Sequence, residues 1–174
     1  VGTTRSTWLL AVVLVLLIPA QLAAEVWRPT KWHDEAAYES INGTWKAIVS
    51  VQRARLMYFG PAERDANLLL APPSRANPNV LGGHRLWLGP QVEWAAIWPP
   101  PDAWEYEKPA AIDEQEGVLR LRLRESGDRW PSLTRTYRWQ DGKLVCGAES
   151  SGGKRAAQFI QILQVPADAV ITLQ

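Results

Sequence analysis

Hydrophobic and polar residues alternate with a period of two along much of this chain. Val118 to Arg124 reads VLRLRLR, which places three leucines on one face of an extended chain and three arginines on the other. In Leu133 to Trp139, Tyr137 and Trp139 share a face with Arg135. A period of two is typical of a strand with one buried face. Both segments are therefore predicted to be antiparallel strands.

Turn signals mark where further strands begin and end. Asp141-Gly142 predicts a hairpin turn into a strand over Lys143 to Ala148, and Asn42-Gly43 predicts a turn into a strand over Thr44 to Val51. Further strands are predicted at Arg55 to Phe59, Asn67 to Leu70 and Ala156 to Val165.

Prolines interrupt the segments between these strands. Ala71 to Asn79 (APPSRANPN) and Trp98 to Pro101 (WPPP) are predicted to be loops, because prolines at this spacing disrupt helices. Asp34 to Ser40 is the only stretch compatible with a helix. Many short strands with proline-rich loops predict an all-β fold, and we expect an antiparallel β-sandwich.

The first residues have the pattern of an export signal. Arg5 precedes an apolar run from Trp8 to Ile18, and small residues follow near Ala24. This order is typical of a cleaved signal peptide, although an uncleaved anchor or a buried helix stays open. We expect a signal peptide over 1–24, an N-terminal extension over 25–40 and the sandwich over 41–174, in a periplasmic or extracellular protein. Since the last residues, AVITLQ, read as a strand, we also expect the sandwich to be incomplete at its C-terminus.

Charge and cysteine content narrow the classes of partner. The whole chain has 19 basic and 18 acidic residues, and the predicted signal removes one basic residue, Arg5. A formally neutral remainder gives no reason to expect nucleic acid or, after cleavage of the signal, a membrane as partner. The single cysteine, Cys146, excludes a disulfide within the chain, and a buried inert thiol is expected.

The segment Leu81 to Gln91, LGGHRLWLGPQ, is the most distinctive in the chain. Its two glycines permit unusual backbone angles or close approach of a ligand, and His84 and Arg85 could bind or transfer a proton. Regular alternation sends them to opposite faces of the strand, so one pocket should receive only one of them. A glycine turn beside a purely structural histidine is the alternative. No metal or cofactor is expected, since HxH, HExxH, CxxC and nucleotide-binding patterns are missing from the sequence.

Ten tryptophans are many for a chain of 174 residues. Indoles can build a β core or form a stacking surface for sugars. The candidate stacking residues are Trp87, Trp94, Trp98 and Trp104. The candidate hydrogen-bonding residues are His84, Arg85, Glu93 and Gln161.

Several segments together resemble a bacterial family, domain-of-unknown-function family 4380. The resemblance runs from about Ile41 to the end, and its most specific parts are LGGHRLWLGPQVEW and WPPPDAWEYE. That family looks related to the galactose-mutarotase-like supersandwich, which implies a large two-sheet antiparallel fold that binds carbohydrates.

The resemblance also bears on catalysis. Sugar mutarotases use two histidines and a glutamate, and His84 resembles the first histidine. AAQFIQILQ, where the second is expected, has glutamines such as Gln161, which cannot act as proton donors. We therefore expect an exported carbohydrate-binding protein and favour binding over proton transfer, with catalysis left open. The alternatives are an aldose-epimerase-like or other carbohydrate-active enzyme with further residues beyond Gln174, and a structural or envelope interaction domain.

Overall fold

The fold is an all-β sandwich of antiparallel sheets. A computed structural model of the chain describes residues 26–71, 82–94, 98–125, 130–152 and 158–170. The first sheet contains, in order, β1 (Arg28–Trp32), β2 (Glu35–Asn42), β3 (Trp45–Ser50) and β4 (Arg55–Pro61). β5 (His84–Gly89) pairs with β10 (Gln158–Leu163). The third sheet contains, in order, β6 (Ala111–Gln115), β7 (Val118–Arg122), β8 (Ser132–Gln140) and β9 (Lys143–Ser151).

A large core lies between these sheets, and a smaller buried cluster forms on the first sheet. The predicted inward residues of β7, Leu119 and Leu121, are buried, while Arg122 on the other face is exposed. The Trp139 indole on β8 donates a hydrogen bond of 3.1 Å to the Ser40 hydroxyl on β2, which ties the third sheet to the first. Alternation therefore predicted the buried face of these strands correctly.

The hairpin between β8 and β9 forms where the sequence predicted it. Asp141 and Gly142 both have positive φ, 51° and 72°. Two such residues in succession are what the tightest hairpin turns require, and they match the twist of the flanking strands. Cys146 on β9 is half-buried, and burial raises the pKa of its thiol to about 12, which agrees with an inert role.

The one stretch that the sequence left compatible with a helix, Asp34 to Ser40, is not helical. These residues belong largely to β2, which pairs on one side with β1 and on the other with β3. Ala37 and Ser40 are buried there, so pairing and packing override the helical propensity of the segment. The expected boundary at residue 41 between an extension and the sandwich consequently falls inside β2.

The predicted strand over Asn67 to Leu70 is wrong. The Asn67 side chain occupies the hydrogen-bonding groups that a strand would use: its amide donates to the Met57 carbonyl (2.8 Å), and its oxygen accepts from the backbone amides of Phe59 and Leu69 (both 3.1 Å). A side-chain amide thus replaces part of the backbone ladder.

Two short helical segments follow β5. A 3-10 turn covers Gln91–Glu93, and a single helical turn, α1 (Asp102–Glu105), comes directly after the WPPP segment. The sequence did not predict α1. In the described residues no helix is long and apolar enough to cross a membrane. The predicted signal over 1–24 lies outside the described residues, as does most of the predicted loop over Ala71 to Asn79.

Candidate functional site

The Gly-Gly pair sets the path of the chain into β5. Gly82 and Gly83 have φ of 69° and 74°, which side chains disfavour. A Cβ at Gly83 would collide with the Leu56 carbonyl on β4. The glycines therefore allow the chain to pass against β4 and start a strand in which all six residues are buried.

The two faces of β5 carry different polar groups, as the alternation predicted. His84 meets Gln161 of the paired strand β10, with 3.2 Å between Nε2 and Oε1. Arg85 and Trp87 instead meet Glu105, the last residue of α1. His84 and Arg85 therefore do not form one constellation.

Glu105 is the centre of a buried group that we call the arginine cluster, consisting of Arg55, Arg85, Glu105 and Arg135. Its Oε1 lies 2.8 Å from Nη1 of Arg55 and in an ion pair with Nη2 of Arg85, while Oε2 accepts a 2.7 Å hydrogen bond from the Trp87 indole. All four cluster residues are 2% exposed or less. Arg55 and Arg85 thus contact the carboxylate directly, and Arg135 acts on it through its nearby charge.

Two of the three arginines are tied to backbone carbonyls. Arg135 on β8 donates to the carbonyls of Ala54 (2.6 Å), Leu86 (2.6 Å) and Trp104 (2.7 Å), which ties three separate segments together. Arg55 on β4 donates to the carbonyls of Arg53 (3.0 Å) and Glu105 (2.6 Å) besides the carboxylate. Both side chains therefore stabilise the fold through hydrogen bonds to the backbone.

Arg85 has fewer hydrogen-bonding partners than the other two. Its guanidinium carbon lies 4.7 Å from the centre of the Trp87 ring and 5.3 Å from that of Trp98, distances at which cations interact with aromatic faces. Apart from the Glu105 ion pair it contacts these indoles, and within the described part of the chain its Nε has no hydrogen-bond acceptor. Nε of Arg135 also lacks a partner there, but the two Nη atoms of Arg135 donate to three backbone carbonyls, whereas Arg85 lies against the exposed ring of Trp98.

The charge state of Glu105 follows from its neighbours. Burial by itself raises the pKa of a carboxyl, but the positive charges of Arg55 and Arg85 outweigh it and hold the pKa of Glu105 below its ordinary value. Burial lowers the pKa of Arg55 to about 10 and also lowers that of Arg135, yet both remain cations at neutral pH. The cluster consequently carries an excess of two positive charges.

The His84 face is neutral. Burial lowers the pKa of His84, and the hydrogen bond to Gln161 offsets this only in part. With Oε1 of Gln161 as the acceptor, Nε2 carries the proton and Nδ1 is left without a partner among the described residues. This histidine is a neutral hydrogen-bonding group at neutral pH.

The remaining sequence candidates divide between core and surface. Trp94 and Trp104 are buried, and the Trp94 indole donates to the Leu88 carbonyl (2.8 Å), so both belong to the core. Trp98 is 41% exposed and packs edge-on against Trp87, with ring centres 5.6 Å apart. Glu93 lies half-buried in the 3-10 turn and is not part of the arginine cluster.

Sequence reasoning missed Glu105, Arg55 and Arg135 as members of the site. A signal was present for Arg135, which falls on the apolar face of an alternating strand, and an arginine in that position needs a buried partner. Glu105 gave no comparable signal, because WEYE has no periodicity that distinguishes a buried carboxylate from an exposed one.

A surface groove of about 520 Å³ lies apart from the predicted residues. It is lined by Glu107, Arg122, Arg124 and Glu125 among others, and charges of both signs alternate within it. No group of three or more potential metal ligands occurs in the described segments. Comparison of the chain with protein-family models, curated proteins and solved structures found no match.

Proposed function

We propose that this protein binds a carbohydrate at the face of β5 that carries Arg85 and Trp87, with Trp98 as the stacking residue. One observation carries the proposal: a 41% exposed indole lies against a guanidinium that is otherwise buried. The exposed indole offers an apolar surface for the C–H groups of a sugar ring, and the guanidinium offers directional donors for its oxygens.

The rigid surroundings of Arg85 favour recognition. Glu105 fixes the guanidinium from one side, and the Trp87 ring packs against it at 4.7 Å. Donors that are held in place before a ligand arrives lose little conformational entropy on binding. The resemblance to the galactose-mutarotase-like supersandwich implies the same class of ligand and remains part of the proposal, as does export.

Catalysis is the weaker alternative for these residues. Glu105 has a lowered pKa and accepts hydrogen bonds or ion pairs on both of its oxygens, so it is a poor general base. His84 lies on the opposite face of β5, paired with Gln161. An epimerase-like reaction would need a base and an acid from elsewhere in the protein.

The WPPP segment has a local role that bears on the envelope-interaction alternative. Its last proline, Pro101, directly precedes α1, and the Trp104 amide donates to the Pro101 carbonyl (2.9 Å). The segment thus sets the start of the turn that ends at Glu105. We therefore favour a positioning role for these prolines over docking of a partner.

The proposal is tested by titrating the purified chain with neutral and acidic oligosaccharides while tryptophan fluorescence and binding heat are measured. We expect at least one saccharide to bind, and Trp98→Ala to remove the binding while leaving the melting temperature nearly unchanged. Trp45→Ala is the matched control, because Trp45 is 39% exposed and stacks on Phe59 in the first sheet. The proposal is contradicted if no saccharide binds to the wild-type chain. It is also contradicted if Trp98→Ala and Trp45→Ala both retain binding.

A further inference from the structure

The arginine cluster is unbalanced in charge. Arg55, Arg85 and Arg135 face a single carboxylate, Glu105, and no other acidic residue among those described is buried. Burial of a charge without a counter-charge is costly, and the cost falls when an opposite charge is brought close. An anion that reached this cluster would therefore be stabilised by two uncompensated positive charges.

Resting on the proposed carbohydrate site, we infer that its ligand is an acidic saccharide whose oxyanion is bound by Arg85. The two other arginines are already engaged by backbone carbonyls, as described above. Arg85 has only the ion pair with the shared Glu105 carboxylate, and neither its Nε nor its Nη2 makes a hydrogen bond within the described residues. Nε of Arg135 is likewise unpartnered there, but it is Arg85 that packs against the exposed Trp98. A planar guanidinium with a free donor matches the paired oxygens of a carboxylate or phosphate group.

The aromatic residues around Arg85 indicate where this ligand binds. Arg85 itself is 2% exposed and Trp87 is 1% exposed, so Trp98 is by far the most exposed of the groups in contact with the guanidinium. A saccharide that stacks on Trp98 brings a ring substituent towards the guanidinium.

The acid group that fits best is the carboxylate of a hexuronic acid. A uronate carries its carboxylate directly on the sugar ring, so one residue can stack on Trp98 and present two oxygens to Arg85. A sugar phosphate offers the same oxyanion chemistry and is a separate arm of the test. In either case the anion complements the cluster without displacing Glu105, because the excess charge is already present.

The decisive comparison uses oligouronides beside their carboxyl-reduced counterparts, which differ only in the acid group. Titrations of the wild-type chain should show at least about tenfold tighter binding of one oligouronide than of its reduced form, since hydrogen bonds to charged groups are stronger than neutral ones. Hexose phosphates are titrated in parallel to identify the source of the oxyanion. Acetate and inorganic phosphate alone should bind at least about tenfold more weakly.

Two variants assign the preference to Arg85. Arg85→Met should abolish the preference for the acidic form, and Arg85→Lys should retain charge but lose the paired geometry and most of the preference. Arg122→Met, which removes an exposed arginine from the outer face of β7, is the control and should change nothing. Melting temperatures of all variants show whether each remains folded.

The outcomes separate this inference from the proposed function. Equal binding of acidic and reduced saccharides by the wild-type chain overturns the acidic ligand but leaves carbohydrate binding intact. A preference that survives in folded Arg85→Met overturns the assignment to Arg85. Binding of acetate or phosphate as tightly as any saccharide indicates a general anion site and overturns both, as does a lack of binding by every saccharide.

Discussion

The two faces of strand β5 hold their polar side chains by different means. On one face, Arg85 and Trp87 meet Glu105, which is fully buried and engaged through both oxygens. On the other face, His84 meets Gln161, which is an exposed residue. Loss of a partner on the first face leaves buried charge without compensation, whereas loss on the second leaves a neutral group. Substitutions on the first face should therefore have the larger effect on the free energy of unfolding, and the second face should make that free energy depend on pH.

The largest effect is expected when the carboxylate at the centre of the first face is removed. Glu105→Gln should lower the free energy of unfolding by about 3 to 5 kcal/mol, because three guanidinium groups then lack a counter-charge. Urea denaturation measures this directly. Gln161→Leu removes the corresponding partner on the second face and should cost no more than about 1.5 kcal/mol. Similar losses for the two variants would break the distinction between the faces.

Arg135 tests whether the cluster also holds the fold by hydrogen bonds to the backbone. Arg135→Met leaves the carbonyls of Ala54, Leu86 and Trp104 without their donor. At about 1 kcal/mol or more for each buried acceptor, we expect a loss of about 3 kcal/mol in the same denaturation experiment. Arg138→Met, on the exposed face of the same strand, should stay within about 0.5 kcal/mol of wild type. If Arg135→Met loses no more unfolding free energy than this control, the three hydrogen bonds contribute little to stability.

Arg85 should behave differently from Arg135 although both are buried. In Arg85→Met, Glu105 keeps its ion pair with Arg55 and its hydrogen bond from Trp87, and one of the excess positive charges disappears. Removing one partner of a buried ion pair is costly when it leaves the other charge uncompensated, but here Glu105 keeps Arg55 as its counter-charge. The expected change in unfolding free energy is therefore about 1 kcal/mol or less, of either sign. A large destabilisation would show that Arg85, like Arg135, mainly stabilises the fold. The argument that Arg85 is available to bind a ligand would then fail.

The arrangement of β5 shows what the sequence could predict. Alternation assigned His84 and Arg85 to opposite faces, and the Gly-Gly pair indicated an unusual backbone path; both predictions are confirmed by the hydrogen bonds and by the positive φ angles. These features depend on residues adjacent in sequence, for which local patterns are informative.

The partner of Arg85 could not be predicted in the same way. Glu105 reaches the cluster through a single helical turn placed by three prolines, and its bond to Arg55 joins residues 50 positions apart. No periodic pattern encodes such a contact, because it depends on how separate segments pack. The conformation of Asp34 to Ser40, which the sequence left compatible with a helix, has the same origin, since pairing with β1 and β3 makes the segment a strand.

The smallest predicted effect is a pH dependence that originates on the second face. Burial lowers the pKa of His84 in the folded protein, and the charges of Arg135 and Arg55 lower it further. As the pH falls below the ordinary value of 6.5, the unfolded chain binds a proton that the folded chain resists. The free energy of unfolding should therefore decrease as the pH falls below 6.5 and level off below the folded pKa.

His84→Gln should flatten this slope, because glutamine preserves a hydrogen-bonding group but does not titrate. Melting curves collected between about pH 7 and pH 5.5 isolate the histidine from the carboxylates, which titrate lower. His33→Gln, a substitution of an exposed histidine, is the matched control. If the wild-type slope persists in His84→Gln, the pH response does not come from the second face, and the contrast between a charged, stability-bearing face and a neutral, titrating one fails.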